Sequence, residues 1–209
     1  MNYLAHAFLG SSDDGERVGQ LIADEIKGKQ HQLFPPGLQR GILMHRWVDA
    51  TTDNSPHLEE VKDLLQNTTG RVTPIAIDVI MDYFLSIHWN QYHPQPLPEF
   101  ISQTYAILEQ HRTYWPTNGI IRLKYLIDDD WLSRYSSLNG IHLTMNQMAQ
   151  RKPFLKALPE AIHVIENHAI TFEKAFHLLI HELIVGYKNK INTFATLPLI
   201  YRYKDGQAK

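Results

Sequence analysis

The sequence predicts an all-α protein, a single multi-helix domain, and three observations carry that prediction. Apolar residues recur at helical spacing through nearly every segment, and no stretch alternates apolar and polar residues convincingly enough to be a strand. Proline punctuates the starts of the strongest segments, at Pro35-Pro36, Ser55-Pro56 and Thr73-Pro74. No repeat, low-complexity tract or domain-sized linker interrupts the 209 residues. Residues 1–195 are read as one helical domain and 196–209 as a polar C-terminal tail.

In chain order, Asn2 to Leu9 reads as a short helix with Leu4 and Phe8 on one side, and Ser11 to Asp14 as a turn. Gly15 to Lys27 is amphipathic and stops at Gly28, a good residue just past a helix end. A polar connector, Lys29 to Phe34, leads into the helix that begins at the proline pair. Ser55 then serves as N-cap and Pro56 as first helical residue of a segment with Val61, Leu64 and Leu65 as its apolar stripe. Thr73-Pro74 repeats that start for a segment running to Trp89 that is apolar apart from its aspartates, so it should be central. After the rigid connector His93 to Pro98, helices are predicted at Glu99 to His111, in one or two pieces at Ile120 to Arg134, at Ile141 to Gln150, and from Glu160 to about Lys190.

Composition narrows the function. With 44% hydrophobic and 20% charged residues the chain has the makings of a real core. A net charge of −2 gives no global basic field, so nucleic acid is not an expected partner. The absence of cysteine removes disulfides, thiol catalysis and Cys-ligated zinc together and fits a cytoplasmic protein. The first residues have no basic stretch before an apolar one, against a signal peptide, and no apolar run approaches the roughly 18 residues of a membrane span.

The candidate site lies on the most apolar helices. His45 and Asp49 are four residues apart and share a helical face, with Arg46 next to His45 and Asp53 one turn further on. Asp78 and Asp82 repeat the spacing, and Asp24 sits among Val18, Leu21, Ile22 and Ile26. Buried unpaired carboxylates are costly, so these groups call for a shared partner, and a divalent cation is the economical one. Mixed imidazole and carboxylate ligands suit Mn, Fe or Zn, and such sites typically activate water for hydrolysis. The competing account is structural: His45 as a core histidine bonded to a carbonyl, Asp49 and Asp53 as caps, Asp78 and Asp82 paired with Arg46 or Arg71. A second cluster, His177 and His181 one turn apart followed by Glu182, could chelate zinc but lies among core-like leucines. Arg134, Arg151, Lys152 and Lys156 form a local basic cluster, either a solvated face or a docking patch for an acidic partner.

Several spaced stretches resemble the acyl carrier protein phosphodiesterase family. They are Asn2-Tyr3-Leu4-Ala5-His6, Gly19 to Asp24, His45 to Asp49 with Thr52-Asp53-Asn54, Asp78 to Trp89, Trp131 to Tyr135, and Met148 to Pro153. The resemblance runs from Met1 to about Pro159 and is specific because the motifs agree in order. It implies an all-helical, divergent relative of the HD phosphohydrolases, although no adjacent His-Asp pair is present here. It further implies a divalent cation, commonly manganese, and cleavage by metal-activated water of the phosphodiester in holo-acyl carrier protein, giving apo carrier and 4′-phosphopantetheine. On that reading Asp24, His45, Asp49 and Asp82 hold the metal. Asp78 and His6 are the next candidates beside it, Arg46 offsets charge on the phosphate or pairs with Asp53, and the basic cluster docks the acidic carrier. The prosthetic arm would need a groove, which tyrosines and tryptophans could line. Two alternatives remain open at this level: the same metal site acting on a nucleotide or other small phosphoester, and a non-catalytic helical binding module.

Overall fold

A computed structural model describes residues 1–10 and 12–195. The predicted tail at 196–209 lies outside the described residues, as does Ser11 of the predicted turn. Among the described residues there are helices and turns and no strands.

The first helix, α1, spans Tyr3–Leu9, with the Asn2 side chain accepting a hydrogen bond from the Tyr3 N–H at its start. α2 spans Asp14–Ile22, capped by Asp13 on the Glu16 N–H. The sequence predicts α2 to continue to Lys27; instead it tightens into a 3₁₀ turn at Ala23–Glu25 and leaves in an extended conformation at Ile26. The reason is visible in Arg46, whose guanidinium donates to the carbonyls of Ile26 and Gly28 at 2.8 and 2.9 Å. Ile26 lies outside any helix, and Gly28, with a positive φ of 51° at the bend, opens a separate 3₁₀ helix, Gly28–Leu33.

α3, Pro36–Asn54, starts at the proline pair as predicted. Ser55 does not cap the next helix: its hydroxyl donates to Glu182 at 2.7 Å, and a 3₁₀ turn at Pro56–Leu58 precedes α4, Glu59–Thr69. Thr73 likewise turns its hydroxyl back to the Gly70 carbonyl and starts α5, Thr73–Ile87, without capping it. α5 is central, with Ala76, Ile77, Val79, Ile80, Met81 and Leu85 all buried. Then come α6, Leu97–Gln110; α7, Ile120–Asp128; the short α8, Trp131–Arg134; and α9, Leu138–Arg151, capped by Ser137. α10, Ala161–Ala195, is kinked at His168, where φ and ψ leave the helical region. No helix is long and apolar enough to cross a membrane among the described residues.

Two contacts set the position of the site. α2 and α3 pack backbone to backbone through Gly19 and Gly41; a methyl group on Gly19 would collide with the Leu38 carbonyl, and one on Gly41 with the Glu16 carbonyl. α1 is fastened to α5 at its N-terminus by Asp82. Three short arms, α1, the turn after α2 and the middle of α3, therefore meet at one end of the central helix.

Candidate functional site

α1 contributes His6, the 3₁₀ turn Asp24, and α3 contributes His45 and Asp49. His45 Nε2 lies 3.1 Å from Asp24 Oδ1 and 3.0 Å from Asp49 Oδ2. His6 Nε2 lies 3.1 Å from the other oxygen of Asp49. The two imidazoles stack with centroids 3.9 Å apart. Ligand-type atoms of His6, His45 and Asp49 all fall within 4.8 Å of one another. They open into a cavity of about 300 Å³ whose wall also includes Met1, Tyr3, Asp24, Asp53 and Asp78.

Electrostatics tie the cluster together. Burial disfavours charge on His45, but hydrogen bonds from its ring to Asp24 and Asp49, with their negative charges, outweigh it and raise its pKa to about 9. Burial also works against ionisation of Asp24 and Asp49, yet their histidine partners hold both carboxyls well below the usual range. His6 goes the other way: burial and the neighbouring charge of His45 lower its pKa against the pull of Asp49, a balance that favours the neutral ring. Its Nδ1 meets Gln20 Oε1 at 2.8 Å, and the Gln20 amide nitrogen in turn donates to the Tyr187 hydroxyl at 3.3 Å. That chain puts the single proton of neutral His6 on Nδ1 and leaves the Nε2 lone pair facing the Asp49 carboxylate. With Nδ1 protonated, Nε2 and the Asp49 oxygen 3.1 Å from it are both placed as acceptors of a cation; with the proton on Nε2 they form a hydrogen bond. Two imidazoles with carboxylates, one imidazole oriented from behind by a side-chain amide, are a donor set that fits a divalent cation of the Mn, Fe or Zn kind once His45 gives up the proton that Asp24 and Asp49 stabilise on it.

The sequence-predicted residues divide into three groups. Asp24, His45, Asp49 and His6 come together. Asp78 lines the cavity and accepts from the Met1 amino group at 2.6 Å, so it does not pair with an arginine. Asp82 is not brought to the cluster. Fully buried, it accepts the N–H groups of Asn2, Leu4 and Ala5 at 3.1, 2.7 and 3.3 Å and so caps α1. Arg46 does not face the cavity either, since both of its bonds go to the carbonyls after the Asp24 turn. The arginine that does reach the site is Arg122 on α7. It donates to Asp24 Oδ2 at 2.7 Å and lies over the Tyr3 ring at 5.6 Å. No local spacing in the sequence points to Arg122; Gln20 lies inside the motif Gly19 to Asp24, but no feature of that motif marks it as the partner of His6.

The second predicted cluster is rearranged. His181 is exposed, and Glu182 turns to Ser55. His177 meets Glu173 and His88, with His88 Nε2 2.7 Å from Glu173 and the Tyr92 hydroxyl 2.5 Å from His177 Nδ1. Of the basic residues, Arg151 and Lys152 border a second, larger cavity, Lys156 is exposed, and Arg134 is bound to Gln147 at 2.6 Å.

Fold and cluster together define a class: an all-α protein with a histidine–carboxylate site suited to a divalent cation. Within it, the chain belongs to the acyl carrier protein phosphodiesterase family, whose profile matches residues 1–183. A protein described as acyl carrier protein phosphodiesterase from Enterobacter sp. (strain 638) is 36% identical over 191 residues, covering 91% of this chain and 99% of that protein. One so described from Escherichia coli O45:K1 (strain S88 / ExPEC) is 39% identical over 180 residues, covering 84% and 92%. A third, from Salmonella paratyphi A, is 36% identical over 177 residues, covering 84% and 92%. No solved structure matches the chain significantly.

Proposed function

We propose that this protein hydrolyses the phosphodiester of holo-acyl carrier protein with a divalent cation, most suitably Mn²⁺, held by His6, His45 and Asp49 with Asp24 beside them. The observation that carries the reading is the convergence of those four side chains, drawn from three separate family-like motifs, on one cavity. When bound, the cation supplies Lewis-acid polarisation of the phosphate and lowers the pKa of water.

The chain's own residues do the rest. Gln20 fixes the tautomer of His6 and keeps its Nε2 available. Arg122 takes the role that the sequence suggests for Arg46: it is the guanidinium next to Asp24 and offsets negative charge on a phosphate entering the cavity. Asp53 borders the same cavity, and burial together with the charge of Asp78 raises its pKa, which suits it to carry a proton there. Water adds to phosphorus, the bond from phosphorus to the serine oxygen breaks, and that oxygen leaves with a proton. Apo carrier and 4′-phosphopantetheine are the products. Mass spectrometry of holo-carrier protein incubated with this protein and Mn²⁺ should show loss of the prosthetic group. The same incubation after metal stripping, in chelator, should show none; undiminished turnover there would remove the cation from the reading.

A further inference from the structure

A larger cavity, of about 530 Å³, adjoins the acidic one and shares Asn2, Tyr3, Asp24 and Asp78 with it. Its character is different. Ile121 and Tyr125 of α7, Met148 of α9 and Trp131 form mostly apolar walls. Ile121 is 70% exposed, a large apolar side chain with little protein over it. Arg122 stands where the cavities meet, since it borders the larger one and bonds Asp24, which belongs to both. At the rim, Arg151 lies over the rings of Tyr125 and Trp131, at 4.3 and 5.5 Å, and Lys152 is exposed beside it.

The geometry points to this larger cavity as the groove for the pantetheine arm of the substrate, an inference that rests on the proposed activity. The substrate has one anionic phosphate followed by a long uncharged chain of methylenes and two amides ending in a thiol. The smaller cavity is walled by carboxylates and suits the phosphate only when a cation is held there. The arm needs adjoining space that is apolar and open to solvent, and aromatic rings and cationic stems that can pack against amides and methylenes. The larger cavity provides both. Its volume is that of a small-molecule site, whereas a helix of the carrier, about 10 Å thick, would rest on the rim at Arg151 and Lys152 instead. The phosphate then lies at the His6–His45–Asp49 end, with Arg122 at the joint.

The test uses the whole protein loaded with Mn²⁺ and 4′-phosphopantetheine as the probe, followed by calorimetry. Ile121→Trp fills the groove from its exposed side and is expected to weaken 4′-phosphopantetheine by on the order of tenfold, or about 1.4 kcal/mol. Inorganic phosphate, which has no arm, should bind the variant and the parent equally. Tyr125→Ala, which removes a wall, should weaken the same probe several-fold. Equal affinity of parent and both variants for 4′-phosphopantetheine would overturn the assignment. So would a parent that binds 4′-phosphopantetheine no better than inorganic phosphate. Cleavage of holo-carrier by the parent is scored separately, so failure of the activity and failure of the groove give different results.

Discussion

Asp82 is fully buried and nevertheless serves as an acceptor for three backbone N–H groups at the start of α1. Burial pushes its carboxyl up to about 7, against the pull of the Met1 amino group and those three N–H groups. An acid whose folded pKa lies above its unfolded value binds more protons when folded, so its contribution to stability falls as pH rises from about 4 to about 7. Asp82→Asn should flatten that part of the stability-versus-pH curve. Because an amide nitrogen would replace one accepting oxygen, it should also cost about 1–3 kcal/mol in denaturant unfolding. Mn²⁺ affinity should not change; a large loss would return Asp82 to the metal. Gln20 is the opposite case, a neutral residue that orients His6, one of the proposed metal ligands. Gln20→Leu leaves His6 free to change tautomer, and Mn²⁺ affinity should fall about 10–100-fold, read by competition with a metal-sensitive dye. The residue-scale site was half legible. His45 and Asp49 share a helix face, which spacing reveals. Asp82 has the same spacing from Asp78, but spacing cannot tell a carboxylate facing a cavity from one facing the amide groups of another helix. Arg122 lies 98 residues from the Asp24 it binds, and no local pattern encodes that contact.

At the scale of the elements, the gap between α2 and α3 decides whether the site forms. Gly19 and Gly41 let the two backbones approach until a single methyl group would strike a carbonyl. This closeness sets Gln20 and Asp24 against His6 and His45. Gly41→Ala cannot be relieved by a side-chain rotation, because the obstacle is backbone. It should cost about 3 kcal/mol, near the top of the overpacking range, seen as a lower urea midpoint with an unchanged slope. It should also weaken Mn²⁺ binding, since it moves Asp24 away from His45. The helices themselves were legible, because periodicity and proline starts are local signals. The ends were less so. α2 stops short of Lys27 because Arg46, from another helix, claims the carbonyls of Ile26 and Gly28. Ser55 and Thr73 have the side chains of caps and do not act as caps, because Glu182 and the Gly70 carbonyl offer their hydroxyls other partners.

Across the whole molecule, charge is separated over a short distance. Of the two cavities, Asp49 and Asp53 border only the smaller and Arg122, Arg151 and Lys152 only the larger, with Asp24 and Asp78 at both and Glu25 at the larger. A net charge of −2 hides this arrangement, which is why composition alone excludes a global basic field but leaves a local patch open. On the proposed docking, an acidic carrier approaching this face would be repelled by one side and attracted by the other, which would orient it with the prosthetic group toward the cluster. Attraction between exposed charges is screened beyond about 8 Å at physiological ionic strength, so association should slow as salt is raised. Lys152→Glu reverses one exposed rim charge and should lower the association rate several-fold while flattening its dependence on salt. Arg151→Glu should do the same and more, because the guanidinium also covers the Tyr125 and Trp131 rings. Stopped-flow mixing with holo-carrier at a series of salt concentrations separates this from misfolding, since a misfolded variant would lose binding at every salt concentration alike. The proposed cation would add a second lever on the same rate. Mn²⁺ bound as proposed would offset part of the negative charge around the smaller cavity, so the loaded protein should capture the carrier faster than the stripped one, with the gap closing in high salt. An association rate indifferent to both salt and metal would mean that the carrier docks elsewhere on the surface.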